Sequence, residues 1–226
     1  MIRLVVSRIV KSYNSRPVLS DCSFSFDELG TYALMGPNGS GKSTFLRICA
    51  LLERPDSGEV AFYSGRDLIE KNLELKRRIT LVLPRVGVFN TTVFRNAAYG
   101  LKIRGMKHAE LAERVEKALE SVGLRHKESQ NALTLSSGEA QRLGIARALA
   151  IGPEILFLDE PTASIDQENT EIIEDMILRL GKEGRTTVII TTHDREQAER
   201  LGDGIFMMQG GRIVGSAASA PEYKRV

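Results

Sequence analysis

Thr31–Met35 is a short, mainly apolar run that leads directly into Gly36-Pro-Asn-Gly-Ser-Gly-Lys-Ser-Thr44. Gly36, Gly41, Lys42 and Ser43 match the GxxxxGKS/T spacing of a phosphate-binding loop. The loop constrains the fold because its chemistry needs a strand before it and a helix after it. Its glycines let backbone N–H groups approach an anion with no Cβ in the way. The following helix aims its positive end at the same anion. That helix is expected over Thr44–Leu52, with Phe45, Ile48, Cys49 and Leu52 on one face. Gly36, Asn38, Gly39, Ser40, Gly41, Lys42, Ser43 and Thr44 are candidate phosphate contacts. Lys42 is expected to reach the β- and γ-phosphates, and Ser43 to ligate Mg²⁺ through its hydroxyl. A chance glycine-rich turn is the bland alternative, and its position between strand and helix argues against it. The loop alone says that a nucleoside triphosphate is held, not how it is used.

The rest of the pattern supplies the surrounding architecture. Leu4–Val6, Phe24 with Phe26, and Val60–Tyr63 read as strands of a small β layer. Ile79–Leu83, Ile155–Leu158 and Thr187–Ile190 are further apolar strands. Ile205–Met208 and Arg212–Val214, joined through Gly210-Gly211, predict a closing hairpin. Between about residues 91 and 150 the period turns helical. Leu111, Val115, Ala118, Leu119 and Val122 form one stripe that Gly123 ends. Ile172, Ile173, Met176, Ile177 and Leu180 mark another helix, expected to stop at Gly181. Strands alternating with helices predict an α/β fold with a mainly parallel sheet, an N-terminal antiparallel β layer and a helical subdomain. One domain is expected over 1–226, with 1–84 and 151–226 as the nucleotide-binding core and 85–150 as the helical part.

Composition excludes several classes. The 226 residues suffice for one α/β domain with a well-buried core. A formal charge of +2 makes no case for nucleic acid, which is not expected as a partner. Cys22 and Cys49 form no disulfide or metal pattern, so a reduced, cytosolic setting is expected. No apolar run approaches the roughly 20 residues that cross a bilayer. Met1-Ile-Arg-Leu-Val-Val does not read as a signal peptide. Work at a membrane would need another chain.

Residues 135–142, Leu-Ser-Ser-Gly-Glu-Ala-Gln-Arg, narrow the function most. Ser136, Ser137 and Gly138 open a helix whose N-terminus can hold an anion. Capping of that helix by Ser136 with Glu139 is the plainer role. Together with the phosphate loop, the octet resembles the signature of ATP-binding-cassette (ABC) ATPases, and so does the Gln-Arg-x-x-x-Ala-Arg-Ala run that continues it. In that family two subunits sandwich ATP between the phosphate loop of one and the signature of the other. The resemblance therefore implies ATP and Mg²⁺ as ligands and a head-to-tail dimer, with Ser136 and Gly138 contacting the partner's nucleotide. This chain has Ser137 where the family usually has glycine.

Other roles follow from the same resemblance. Ile155-Leu-Phe-Leu-Asp159-Glu160 resembles the Walker B strand. Asp159 would then hold Mg²⁺, and Glu160 would polarise the attacking water as general base. His193 falls where the family has a histidine at the γ-phosphate. Asp166, in Ala163-Ser164-Ile165-Asp166, falls in the D-loop that touches the partner, although it could merely cap the following helix. Tyr13 resembles the aromatic that stacks on adenine; an aromatic in a β layer is otherwise a core residue. Glu160, His193 and Lys42 are thus the candidate catalytic set.

One position departs from the family. After the 79–83 strand the family carries a glutamine that contacts Mg²⁺ and the attacking water, and here Pro84 aligns with it. Proline offers neither a side-chain oxygen nor an N–H, which puts in doubt how tightly ATP occupancy is coupled to the helical block. In transporters the next stretch, Val88–Gly100 here, receives a helix of the membrane subunit. Phe89, Val93, Phe94 and Tyr99 could contact it or could be core.

These features imply the ATPase subunit of a transporter, of importer type, bound to an integral membrane permease at the cytoplasmic face of the cell membrane. Residues 89–101 are similar to those of tungstate, molybdate or phosphate importers. The alternative is a non-transport ABC ATPase, but no coiled-coil or zinc insertion and no second cassette is present. A GTPase would need Asn-Lys-x-Asp, which is absent.

Overall fold

A computed structural model describes residues 1–217. In chain order the elements are β1 (Ile2–Tyr13), β2 (Arg16–Phe26), β3 (Thr31–Met35), α1 (Lys42–Cys49), β4 (Ser57–Ser64), β5 (Asp67–Leu68), α2 (Leu73–Arg77) and β6 (Ile79–Val82). Then follow α3 (Val93–Ala97), α4 (Tyr99–Ile103), α5 (His108–Ser121), α6 (Ser137–Ala150), β7 (Ile155–Asp159), α7 (Gln167–Glu183), β8 (Thr187–Thr192), α8 (Arg195–Leu201), β9 (Gly204–Gln209) and β10 (Arg212–Ala217). The chain packs as two compact units. Among the described residues, one holds Met1–Leu81, Glu154–Asp159 and 180–217; the other holds Val82–Pro153 and Glu160–Arg179.

In the first unit, β2-β1-β4-β5 form an antiparallel sheet. Ile2, Leu4 and Val6 alternate inward along β1 until a register shift between Val6 and Ile9, where Arg8 takes φ +50°. This bulge turns Ile9 back into the core, which strict alternation would not do. The larger sheet has the order β10-β9-β3-β8-β7-β6. β3 lies parallel to β8 and β9, and β8 parallel to β7, while β9 and β10 form the expected hairpin. All five residues of β3 and of β7 are buried, as befits strands covered on both faces. Phe45, Leu46 and Ile48 of α1 are at most 1% exposed and share a core with Tyr32, Leu34, Phe157 and Ile189. Burying each such side chain stabilises the fold by about 1.5–3 kcal/mol, and this anchors both ends of the loop between β3 and α1.

In the second unit, Leu111, Val115, Ala118, Leu119 and Val122 are all buried, as their spacing predicts. α6 is buried around most of its girth, including Leu143, Ile145, Ala146 and Ala148 beside the polar Gln141 and Arg142. Short 3₁₀ turns at Arg125–Lys127 and Ala132–Thr134 break the helical block.

Two helix ends differ from expectation. α1 begins at Lys42 and ends at Cys49, because Leu51 turns left-handed at φ +58°. Leu52 is therefore 69% exposed and not on the apolar face. α7 passes through Gly181 to Glu183, and Gly184 takes the left-handed φ of +59°. Gly181 stays in the helix where a Cβ would press Thr31 Oγ1 at 3.1 Å. Three short elements, β5, α2 and α8, carry no clear hydrophobic period. Among the described residues, no helix is long and apolar enough to cross a membrane.

Candidate functional site

The parallel register brings three candidate groups to one edge of the larger sheet. Met35 pairs with Thr192, and Asp159 with Thr191, so β3, β7 and β8 end side by side. The loop from Gly36, the carboxylate of Asp159 and the segment carrying His193 all leave from these carboxyl ends, the usual ligand edge of an open α/β sheet.

The loop is built around its backbone. Gly41, directly before α1, has φ +105°, and a Cβ there would sit 2.7 Å from Leu19 Cδ2 and 2.9 Å from Val18 O. Only glycine meets both demands. Asn38 and Gly39 form the exposed crest, whereas Gly36, Ser40, Lys42 and Thr44 are buried and Ser43 is half-buried. Lys42 Nζ donates to Gly36 O at 2.8 Å and to Pro37 O at 3.3 Å, which curls the ammonium over its own loop. No side-chain cap takes up the first N–H groups of α1. This arrangement can hold a polyanion.

Asp159 is 1% exposed, and its Oδ1 accepts from the Thr191 hydroxyl at 2.7 Å. Glu160, the next residue, takes φ +45°, which costs a non-glycine residue on the order of 1–3 kcal/mol. The turn that it opens closes with Ala163 N–H on Glu160 O at 3.1 Å. His193 is exposed. Its neighbours are fixed: Asp194 N–H donates to Thr192 Oγ1, and Asp194 Oδ1 caps α8 by accepting from Glu196 and Gln197 N–H. Tyr13, at the end of β1, is 40% exposed and is not a core residue. Its hydroxyl donates to Glu53 Oε1, and Lys11 Nζ lies 5.5 Å from its ring centroid.

The second unit holds the signature octet. Ser136 Oγ accepts from Glu139 N–H at 3.2 Å, and Glu139 Oε2 accepts from Ser136 N–H at 3.0 Å, a complete capping box. Lys127 donates to Glu139 and, with the Ser136 amide, holds its carboxyl below the usual range. The cap does not consume the Ser136 hydroxyl proton, and Ser136 and Ser137 are exposed while Gly138 is buried. Asp166 caps α7 by accepting from Asn169 N–H at 2.8 Å, so the capping alternative is present.

One stripe of α6 pins the loop that carries Pro84. Gln141 Nε2 donates to Leu83 O at 3.4 Å, Arg147 Nη1 donates to Gly87 O at 3.1 Å, and Val86 packs where a Cβ on Gly144 would lie 2.4 Å away. Asn96, fully buried, binds both N–H and O of Phe89 and also accepts from Arg147. The Phe89–Tyr99 pair, with centroids 4.6 Å apart, is therefore held from beneath with Arg147 stacked on Phe89. Phe89 and Tyr99 remain 43% and 45% exposed, while Val93 is buried and Phe94 half-buried. Sequence reasoning missed Thr191, Asn96 and Asn169, which hold other groups in place rather than carrying a motif.

A family model described as "ABC transporter" matches residues 19–163. The chain is 40% identical over 211 residues to the tungstate uptake system ATP-binding protein TupC of Peptoclostridium acidaminophilum, covering 93% of this chain and 96% of that protein. It is 37% identical over 224 residues to the phosphate import ATP-binding protein PstB 2 of Natronomonas pharaonis, covering 93% and 78%. Among solved structures, a dimeric bacterial ABC transporter cassette is similar with a TM-score of 0.83 and 26% identity, over 95% of this chain and 97% of that chain. CbiO1 from Clostridium perfringens, part of the ABC transporter complex cbiONQ, is similar with a TM-score of 0.83 and 27% identity, over 94% and 87%.

Proposed function

The chain belongs to the ABC transporter ATP-binding family, whose members hydrolyse ATP, and from that premise we propose that it powers uptake of an oxyanion through a membrane permease. The observation that carries the reading is the capped, exposed N-terminus of α6, an anion site in a different unit from the phosphate loop. Such a site gains a role when a second copy supplies the nucleotide, and a two-fold pair makes two of these composite sites. The likeness to a dimeric cassette supports that pairing.

The roles follow residue by residue over a single cassette, with 1–84 and 151–226 as its core and 85–150 as its helical part. Gly36, Asn38, Gly39, Ser40, Gly41 and Thr44 cradle the phosphates, Lys42 neutralises the β- and γ-phosphates, and Tyr13 stacks on adenine. Ser136 and Gly138 of one copy meet the nucleotide of the other, and Asp166 lies in the segment that faces the other copy. Glu160 is the general base, and His193 contacts the γ-phosphate. Ser43 and Asp159 offer a hydroxyl and a carboxylate, hard oxygen donors that would suit Mg²⁺ with phosphates and water as its remaining ligands. The ion would offset phosphate charge. ATP binds the closed pair better than the open one, and that difference in affinity supplies the work.

The exposed Phe89–Tyr99 pair supports a contact with the permease, and such a contact would hold the chain at the cytoplasmic face of the cell membrane. Identity to tungstate and phosphate uptake proteins supports an oxyanion as cargo. The test is ATP-driven uptake of tungstate, molybdate or phosphate into vesicles carrying the chain with its permease. Uptake of one of them is expected. Uptake of none overturns the oxyanion reading, and hydrolysis indifferent to the permease overturns the transport reading.

A further inference from the structure

We propose that Asn169 is a positioning residue that ties Asp166 to the first turns of α6, so that the two segments facing a second copy move as one piece. The consequence for closure rests on the composite-site reading above; the contacts themselves do not.

Three groups converge on Asn169, which is 7% exposed. Its amide Nδ2 donates to Asp166 Oδ1 at 2.8 Å and to Oδ2 at 2.7 Å. Its Oδ1 accepts from Arg142 Nε of α6 at 2.7 Å, and Arg142 in turn donates from Nη1 to Val122 O. A Cβ on Gly138 would lie 2.4 Å from Asn169 Cγ, so the amide lies flat against the signature glycine. Helix capping alone needs only the backbone N–H of Asn169 on Asp166. It does not call for a buried amide held between a carboxylate and a guanidinium.

Chemistry also fixes the residue type. An ionised carboxylate only accepts and a guanidinium only donates, so the group between them must present N–H to Asp166 and C=O to Arg142. Aspartate at 169 would lose the donor and set two carboxylates together. Leucine would leave Arg142 Nε without this acceptor. Gly138 is consequently glycine in this chain for a reason internal to its own unit, whatever nucleotide it meets.

Four measurements test the proposal. In the nucleotide-free chain, Asn169→Ala is expected to speed amide exchange of Glu139, Ala140 and Thr170 roughly tenfold, the loss of about one charge-assisted hydrogen bond. Unchanged exchange overturns the tie, whatever the chain does with ATP. Gly138→Ala is expected to lower Tm by about 2–4 °C when Asn169 is present and by much less with Asn169→Ala; additive effects overturn the packing argument. In a Glu160→Gln background, Asn169→Ala is expected to raise the protein concentration for ATP-induced dimerisation roughly tenfold, with ATP affinity of the single chain unchanged. With Glu160 intact, Asn169→Ala should lower kcat at constant KM for ATP. Equal dimerisation with and without Asn169→Ala overturns the coupling. A Glu160→Gln chain that stays monomeric defeats the composite-site reading instead, and the exchange result then decides the tie.

Discussion

Thr191 gives its hydroxyl proton to Asp159 Oδ1 at 2.7 Å, across paired positions of two buried parallel strands. The bond fixes the rotation of a carboxylate that is 1% exposed. Thr191→Val keeps the volume and removes the donor, which leaves a buried carboxylate oxygen short of a partner at a cost of about 1–3 kcal/mol. Thermal unfolding should show that loss, and the Mg²⁺ concentration for half-maximal ATP binding should rise. Thr191→Ser should restore most of both. A Thr191→Val protein with unaltered Tm and Mg²⁺ dependence would show that Asp159 needs no such support.

Pro84 sits in a loop clamped by Gln141, Gly144 and Arg147 from one face of α6. The same Arg147 underlies Phe89. Pro84→Gln restores a side-chain oxygen without disturbing those clamps, and it is expected to change the basal ATPase rate or its stimulation by the permease. An identical rate in both conditions would mean that position 84 does not report on the nucleotide.

Acid should weaken the start of α6 in a defined direction. Lys127 and the Ser136 amide hold Glu139 below the ordinary carboxylate value, which is about 4.3. A depressed folded pKa gives stability that is fully present above the unfolded value and is lost as pH falls through the folded one. Tm should therefore drop as the pH is lowered beneath that value, and Glu139→Gln should flatten part of the slope. An unchanged acid limb in Glu139→Gln would remove the capping box from the explanation. Asp166, lowered by the backbone and side-chain amides of Asn169, titrates in the same direction.

Much of this was legible from local pattern. The strand, loop and helix around Gly36–Thr44, the Leu111–Val122 stripe and the Gly210-Gly211 hairpin depend on residues close in sequence, so periodicity and turn chemistry suffice. The capping box at Ser136 and Glu139 is legible for the same reason. The Arg8 bulge is not, because it answers to two neighbouring strands. α7 runs past Gly181, whose missing Cβ fits a close approach to Thr31, a tertiary fact that local pattern does not carry. The partners of the candidate residues were least visible. Thr191 meets Asp159 only through strand register, and Arg142 meets Asn169 only through helix packing. The third-residue spacing of Asp166 and Asn169 was a usable signal that a helix-capping reading absorbs.

ATP is expected to close two copies over composite sites, with hydrolysis then depending on Glu160. Glu160→Gln keeps the side-chain shape and removes the carboxylate proposed as the base. Light scattering of that variant with ATP and Mg²⁺ should give a doubled mass, with ATP bound and hydrolysis abolished. A monomer that binds ATP would rule out closure over composite sites, and a variant that hydrolyses ATP at the original rate would rule out Glu160 as the base.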